Sequence, residues 1–349
     1  MKKIQQIRTK SAIQALCFTC LCVFLSGHLL ACSTTGELNK REPVFELVVL
    51  GDKGGIQDGN LSAFLLRALD EPYYVALDAG TLVNGINAAD QLDAFSDLPL
   101  VQDPQWNTTG TILRRHVKGY LISHGHLDHV AGLLISSPED SPKPIYALPS
   151  VNQTLLDTYF NWQAWANFTD KGLPPRLNQY QLIDLIPRQS QPMADTSLRV
   201  TAFSMSHPLE STAFVIEKDQ DLFVYIGDTG PDQIEQQGKL KALWQYLAKQ
   251  LKEKHLRALV AEVSFANERP DKLLFGHLTP KWLMQELTEF HELIEDKSAI
   301  KDLQVIVNHI KYTLKSGPDP KKRIEQQLAQ ENSLGFNFVL VSQGQRIQM

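Results

Sequence analysis

Three of the 10 histidines in this 349-residue chain fall within six positions, His124-Gly-His126-Leu-Asp128-His129, with a carboxylate among them. Imidazole nitrogen and carboxylate oxygen together suit Zn²⁺, Mn²⁺ or Fe²⁺. Four ligand-type side chains in six positions point to a metal site, because isolated surface or core histidines would have to account for each one separately. The apolar stretch Val117 to Ser123 precedes the run, so a strand delivers the chain into a turn that can aim several side chains at one point. His124 and His126 alternate as strand residues do. Asp128 and His129 lie on the following turn and can face a second ion nearby.

Two ions need further ligands, and downstream stretches offer them. Ser206-His207-Pro208 follows a strand candidate, and Tyr225-Ile-Gly-Asp228 delivers a carboxylate from an apolar strand end into a Gly-flanked turn. Phe275-Gly-His277-Leu-Thr279-Pro280 sets His277 just ahead of a helix, with Thr279 as N-cap and Pro280 at the first helical position. Glu262 ends an apolar strand, where a buried carboxylate is costly unless paired. Asp78, in Leu77-Asp-Ala-Gly80, and His309, in Val307-Asn-His-Ile-Lys311, also stand at strand ends. His116, His255 and His291 lie in charged surroundings and read as solvated.

The elements that must position these groups follow from apolar periodicity and from Gly and Pro punctuation. Strands are predicted over Val44 to Leu50, Ser62 to Ala68, Tyr73 to Leu77 and Val117 to Ser123. Others are predicted near 197–205, 212–217 and 222–226, over Leu256 to Val263 and over Leu303 to Val307. Helices are predicted over His129 to Ile135, about 233 to 254, and Pro280 to Leu293. Residues 139–195, with seven prolines, read as less regular and hold the aromatic group Tyr159, Phe160, Trp162, Trp165 and Phe168. Strands dominate each half, with helices after some of them, which suggests an α/β protein of two packed sheets with helices outside.

The N-terminus has a different character. Met1 to Lys10 carries four Lys/Arg and no acid, an apolar run follows, and Leu29-Leu-Ala31-Cys32 leads into polar residues. This is the order of an export signal over 1–31, followed by a linker over 32–42 and the domain over 43–349. Cysteine after Leu-x-Ala resembles the bacterial lipobox, which implies an acylated Cys32 and a periplasmic lipoprotein held to a membrane only by that anchor. Ordinary signal cleavage and an uncleaved anchor are the alternatives, and all three place the protein outside the cytoplasm. All four cysteines (Cys17, Cys20, Cys22 and Cys32) lie in this segment, so the body can form no internal disulfide and must bind metal through His and carboxylate. Removing the four positive charges takes the formal charge from −5 to −9, which argues against a nucleic-acid partner.

In order, strand–HxHxDH–H–D–H resembles the metallo-β-lactamase superfamily, over roughly residues 44 to 310. That resemblance implies an αββα sandwich of two packed mixed sheets flanked by helices. It also implies two divalent ions, Zn²⁺ first, with Mn²⁺ or Fe²⁺ as alternatives. His124, His126 and His207 would hold one, Asp128, His129 and His277 the other, and Asp228 would bridge. A bridging anion offsets the repulsion of dications about 3.5–4 Å apart.

The fold hosts several chemistries, but the run from His126 to Ser137-Pro138 resembles the signature of class II cyclic-nucleotide phosphodiesterases, HLDHxxGLxxxSP. Gly51-Asp-Lys-Gly-Gly55, Glu262-Val-Ser-Phe265 and Asn308-His-Ile-Lys311 resemble that family too. The resemblance implies hydrolysis of 3′,5′-cyclic AMP, with cyclic GMP as a second substrate, to the 5′-nucleotide. A hydroxide shared by the ions would attack phosphorus in line with the 3′ oxygen, with Asp128 and Asp228 serving the reaction as well as the metal. His309 is the candidate for phosphate contact or general acid. Glu262 is the candidate acceptor that orients a ligand histidine such as His277, and Asp78 is either a similar acceptor or a turn cap. The aromatic group suits packing of a lid or a homodimer contact, with purine stacking as the alternative. Another hydrolase of the fold (arylsulfatase-like, lactonase or tRNA 3′-processing nuclease) is the second reading. The last of these often carries His directly before the glutamate, where this chain has Ala261. A zinc-scavenging lipoprotein without turnover is the third.

Overall fold

Strands with two buried faces build this molecule, described for residues 42–100 and 104–349 in a computed structural model. The expected export signal, Cys32 and most of the linker lie outside the described residues. The first half supplies β1 (Phe45–Gly51), β2 (Lys53–Gly54), β3 (Ala63–Ala68), β4 (Tyr74–Leu77), β5 (Val117–Leu121), β6 (Lys143–Ala147) and β7 (Tyr180–Asp184). The second supplies β8 (Gln191–Pro192), β9 (Arg199–Met205), β10 (Ser211–Lys218), β11 (Asp221–Ile226), β12 (His255–Glu262), β13 (Gln304–Asn308), β14 (Ile310–Lys311), β15 (Asn337–Leu340) and β16 (Arg346–Gln348). Helices are α1 (Val83–Asp90), α2 (Thr108–Thr111), α3 (Leu127–Ser136), α4 (Pro149–Thr154), α5 (Asp232–Glu235), α6 (Lys239–Gln250), α7 (Pro280–Leu293) and α8 (Pro320–Glu331). None of the described helices is long and apolar enough to cross a membrane.

Two seven-stranded sheets run β16-β1-β3-β4-β5-β6-β7 and β15-β13-β12-β11-β10-β9-β8. Each is mixed. In the first, β4 to β7 are parallel and the rest antiparallel. In the second, β11, β12, β13 and β15 are parallel. This is the expected α/β arrangement of two packed mixed sheets flanked by helices.

Period-two alternation explains the layering. On β11, Phe223 and Tyr225 face the other sheet and join the cluster that includes Phe45, Phe64 and Phe214. Leu222, Val224 and Ile226 face outward and pack with Trp244 of α6 and Leu283, Leu287 and Phe290 of α7. A strand buried on both faces has no polar alternation, which is why β11 reads as an unbroken apolar run.

Parallel strands that run the same way end at one edge, and that edge gathers the polar residues singled out above. Asp78 follows β4, His124 lies beyond β5, Asp228 beyond β11, Glu262 ends β12 and His309 follows β13. Ligand sites in α/β proteins characteristically form outside the carboxyl ends of strands.

Two expectations need correction. The single helix over 233–254 is two helices, broken where Gln236 and Gly238 adopt left-handed backbone (φ 55° and 63°). The Asp232 carboxylate accepts the backbone N–H groups of Lys239 and Lys241 and so caps α6. The segment 139–195 is not simply irregular, since it contributes β6, α4 and β7. Pro144 lies within β6 but precedes Ile145, the first residue paired with β5, so its missing N–H costs no bond there.

Candidate metal centre

After β5 the chain stays extended to His126 (φ −70°, ψ 148°) and then turns into α3, whose first turn carries Asp128. His124 and His126 therefore leave from extended backbone, and Asp128 and His129 from the helix. α3 is held against the loop after β4 by backbone bonds, Ala79 N–H to His129 O (2.8 Å) and Gly132 N–H to Gly80 O (3.0 Å). A side chain on Gly132 would lie 2.7 Å from Ala79 O, and one on Gly80 would run into the carbonyl of Asp128. That close approach is the physical reason for glycine at position 132 of the signature run.

Four histidines of the cluster have one ring nitrogen tied to a partner outside it, which turns the other inward. His129 Nδ1–H donates to Asp78 Oδ2 (2.7 Å). His207 Nδ1–H donates to Gly276 O (2.9 Å). His124 Nδ1 meets Ser123 Oγ (3.0 Å), whose own hydrogen goes to Asp78 Oδ2 (2.7 Å). His309 Nδ1 meets Ser264 Oγ (2.9 Å).

The inward nitrogens converge. His124 Nε2 lies 3.1 Å from His126 Nδ1, which lies 3.2 Å from His207 Nε2. His129 Nε2 lies 3.1 Å from His309 Nε2, and His309 Nε2 lies 3.3 Å from Asp128 Oδ2. Asp228 Oδ2 stands between the two sets, 3.8 Å from His124 Nε2, 3.4 Å from His129 Nε2 and 3.3 Å from His309 Nε2. With the Nδ1 protons of His124, His129, His207 and His309 committed elsewhere, their Nε2 atoms present lone pairs to the cluster. A cation satisfies such a set, and the nitrogen–carboxylate donors fit the divalent ions expected from sequence.

One expected grouping changes. Asp128 and His129 converge with His309, whereas His277 converges with His207 and Asp228 and with Glu262 and His309. His277 Nδ1–H donates to Glu262 Oε1 (2.8 Å) and lies 3.7 Å from Asp228 Oδ2. His277 lies just ahead of α7. The end of β13, hydrogen-bonded beside β12 with Asn308 opposite Glu262, brings His309 to the second set.

The electrostatics favour ionised carboxylates and divide the imidazoles. Burial holds His124 well below the usual histidine range, reinforced by the neighbouring His129. Burial also brings His207 down to about 4. For Asp228 burial works toward protonation, but His309 and His129 outweigh it and hold the carboxyl well below its ordinary value. Burial likewise opposes ionisation of Asp128, and the closeness of His309, with Nε2 3.3 Å away, overcomes it. His129 and His277 run the other way. Burial lowers both, but Asp228 and Asp78 raise His129, and Glu262 raises His277.

Several contributors had no sequence signal beyond their place beside a motif. Ser123 and Ser264 hydrogen-bond the Nδ1 atoms of His124 and His309, and Tyr225 donates its hydroxyl to Asp78 (2.6 Å). Gly55 gives its N–H to Asp128 Oδ2 (2.8 Å). Ser137, near the far end of the signature run, accepts Trp165 Nε1–H (2.9 Å) and so ties α3 to the aromatic segment. Tyr159 donates to Gly125 O (2.7 Å) at the rim of the cluster. Phe160 is buried, while Trp162 and Trp165 are 44% and 37% exposed.

A family model for class-II cAMP phosphodiesterases matches residues 45–344. A 3′,5′-cyclic-nucleotide phosphodiesterase of Aliivibrio fischeri is 44% identical over 96% of this chain and 98% of that protein. The 3′,5′-cyclic-nucleotide phosphodiesterase 1 of Saccharomyces cerevisiae is 26% identical, over 84% of this chain and 95% of its own. Among solved structures, unliganded yeast PDE1 superposes with a TM-score of 0.76 at 23% identity, covering 88% of this chain and 100% of that one. The metallo-β-lactamase fold protein YhfI from Bacillus subtilis superposes with a TM-score of 0.58 at 14% identity, with 88% and 100% covered. The structural likenesses establish the metallo-β-lactamase fold, and the matched sequence establishes the family: the chain belongs to the class-II cAMP phosphodiesterases.

Proposed function

We propose that this protein hydrolyses 3′,5′-cyclic AMP, and cyclic GMP with it, to the 5′-nucleotide at a centre of two divalent ions, Zn²⁺ first with Mn²⁺ or Fe²⁺ as alternatives. The observation that carries the reading is the convergence of five inward-facing imidazole nitrogens on Asp128 and Asp228. His124, His126 and His207 would hold one ion, Asp128, His129 and His309 the other, with Asp228 between them. Such ions supply Lewis acidity toward phosphoryl oxygens and lower the pKa of water.

The remaining work falls to protein groups. Asp78 and Ser264 hold the rings of His129 and His309 in the tautomer that leaves Nε2 free. With both ring nitrogens of His309 engaged, the acid role passes to His277. Glu262 holds the Nδ1 proton of His277 and stabilises its charged form, so the other ring nitrogen can give a proton to the departing 3′ oxygen.

The test is turnover by the purified chain loaded with Zn²⁺ or Mn²⁺, against cyclic AMP, cyclic GMP, a lactone and a precursor tRNA. Cyclic-nucleotide hydrolysis is expected, and its absence at every metal load would overturn the reading. Asp228→Ala should lower both metal content and rate. For the N-terminal segment, the order of basic, apolar and Ala-Cys residues supports export and acylation of Cys32. Palmitate labelling should disappear in Cys32→Ser, and labelling retained in that variant would remove the anchor.

A further inference from the structure

His126, Asp128 and His207 are half-buried, while the other ligand-type residues of the cluster are buried. The mouth of the site therefore lies over these three. Exposed apolar side chains stand around it: Leu127 between His126 and Asp128, Pro208 after His207, and Phe275.

Phe275 is fixed there by two sets of contacts. The carbonyl of the next residue, Gly276, accepts the Nδ1 proton of His207 (2.9 Å), and a Cβ on Gly276 would lie 2.8 Å from both that ring and Pro208. The Arg269 guanidinium, in turn, lies 5.9 Å from the centroid of the Phe275 ring and 4.5 Å from that of Phe265. The Phe265 ring itself stands edge-on to His277, with centroids 5.8 Å apart.

Neither packing nor backbone geometry asks for phenylalanine at this position. Phe275 and Gly276 both have left-handed backbone (φ 53° and 75°), which glycine adopts freely and a bulky aromatic does not. The turn brings the Gly276 carbonyl to His207, yet glycine or asparagine at 275 would make it with less strain. Burial does not offset that strain, since Leu274 enters the core while Phe275 stays 58% exposed. A strained, exposed ring beside the mouth fits a flat ligand that arrives with the substrate.

We propose that Phe275 stacks on the nucleobase of the cyclic nucleotide and so holds the phosphodiester against the centre. The inference rests on the cyclic-nucleotide reading above and adds the residue that grips the base. Every base has a π-face, so the contact serves adenine and guanine alike and does not choose between them. Trp165 is a poorer candidate, because its indole N–H goes to Ser137 at the far end of α3 from His126, about 15 Å along the helix.

The test compares zinc-loaded wild type with Phe275→Ala, Phe275→Trp and Trp162→Ala. Loss of one stacked base should raise KM for cyclic AMP and cyclic GMP about 5- to 100-fold in Phe275→Ala and weaken inhibition by 5′-AMP to a similar degree. Inhibition by ribose 5-phosphate, which has no base, should be unchanged, and kcat should change less than KM. Phe275→Trp should recover most of the affinity, with metal content and Tm like wild type in both variants. Inhibition by 5′-AMP within twofold of wild type in Phe275→Ala would overturn the inference, as would loss of metal in that variant. The same loss of 5′-AMP affinity in Trp162→Ala alone would move the base to the aromatic segment. If wild type hydrolyses no cyclic nucleotide, the functional reading fails by itself. Calorimetry with 5′-AMP and ribose 5-phosphate then decides Phe275. A preference for 5′-AMP that Phe275→Ala abolishes supports the stacking role, and one that is missing in wild type or survives in Phe275→Ala refutes it.

Discussion

Asp78 and His129, 51 residues apart, meet at 2.7 Å between Oδ2 and Nδ1, and that bond decides which nitrogen of His129 faces the cluster. Asp78 has φ 54° and takes three further donors, the N–H and hydroxyl of Ser123 and the hydroxyl of Tyr225. Both sheets thus converge on one carboxylate. Removing the acceptor of a ligand imidazole commonly costs 10- to 100-fold in metal affinity. Asp78→Asn should therefore weaken Zn²⁺ binding by about that factor in a chelator competition. It should also lower Tm, because a buried donor loses its partner, at about 1–3 kcal/mol for each. Unchanged affinity would show that His129 is oriented by packing alone.

His309 and His277 are separated by what their loss should do to metal stoichiometry. His309 Nε2 lies within 3.3 Å of Asp128 and Asp228, whereas His277 spends Nδ1 on Glu262. His309→Ala should retain about one ion per chain by elemental analysis. His277→Ala should keep both and lose about 100-fold or more in kcat, the usual range for a proton donor. An ion lost from His277→Ala with both kept in His309→Ala would restore the grouping expected from sequence.

That exchange shows where sequence reasoning loses its hold. The clustering of His124 to His129 was legible because its ligand-type side chains are local, fixed by one strand-to-helix turn. Asp228 was legible because an apolar strand ending in a Gly-flanked Asp has few other uses. Choosing between His277 and His309 required knowing that β13 lies beside β12 and ends level with it, with Asn308 opposite Glu262. Pairing between strands more than 40 residues apart leaves no mark on either segment. The long buried strands of both sheets were legible for the opposite reason, since their apolar runs are continuous. The break between α5 and α6 depends on left-handed backbone at Gln236 and on a cap from Asp232, whose side chain reaches seven to nine residues ahead.

Gly54 should tolerate no side chain. Its Cβ would stand 2.5–2.7 Å from three ring atoms of His309, a residue held from behind by Ser264. His309 cannot retreat without leaving Asp128. Gly54→Ala should lower occupancy of the second ion and reduce kcat/KM by at least about tenfold, with the rest of the fold intact by circular dichroism. Wild-type metal content and kinetics in Gly54→Ala would mean that the β2 segment yields instead.

Glu286 gives the fold a pH dependence apart from the metal ligands. It sits on α7 with 2% of its surface exposed, and its carboxylate accepts Asp232 N–H (2.7 Å) and Trp244 Nε1–H (3.1 Å). Burial outweighs these bonds and pushes it up from 4.5 to about 7. The folded protein therefore holds a proton that the unfolded chain has released. The associated stability is fully present below the unfolded value and is lost as pH rises through about 7. The loss between pH 5 and 8 is on the order of 3 kcal/mol. Glu286→Gln cannot ionise and should not share it. The stability of wild type minus that of Glu286→Gln, from urea unfolding at constant metal, should fall by about this amount between pH 5 and pH 8. A difference that stays level across that window would show that the two accepted bonds keep Glu286 ionised throughout.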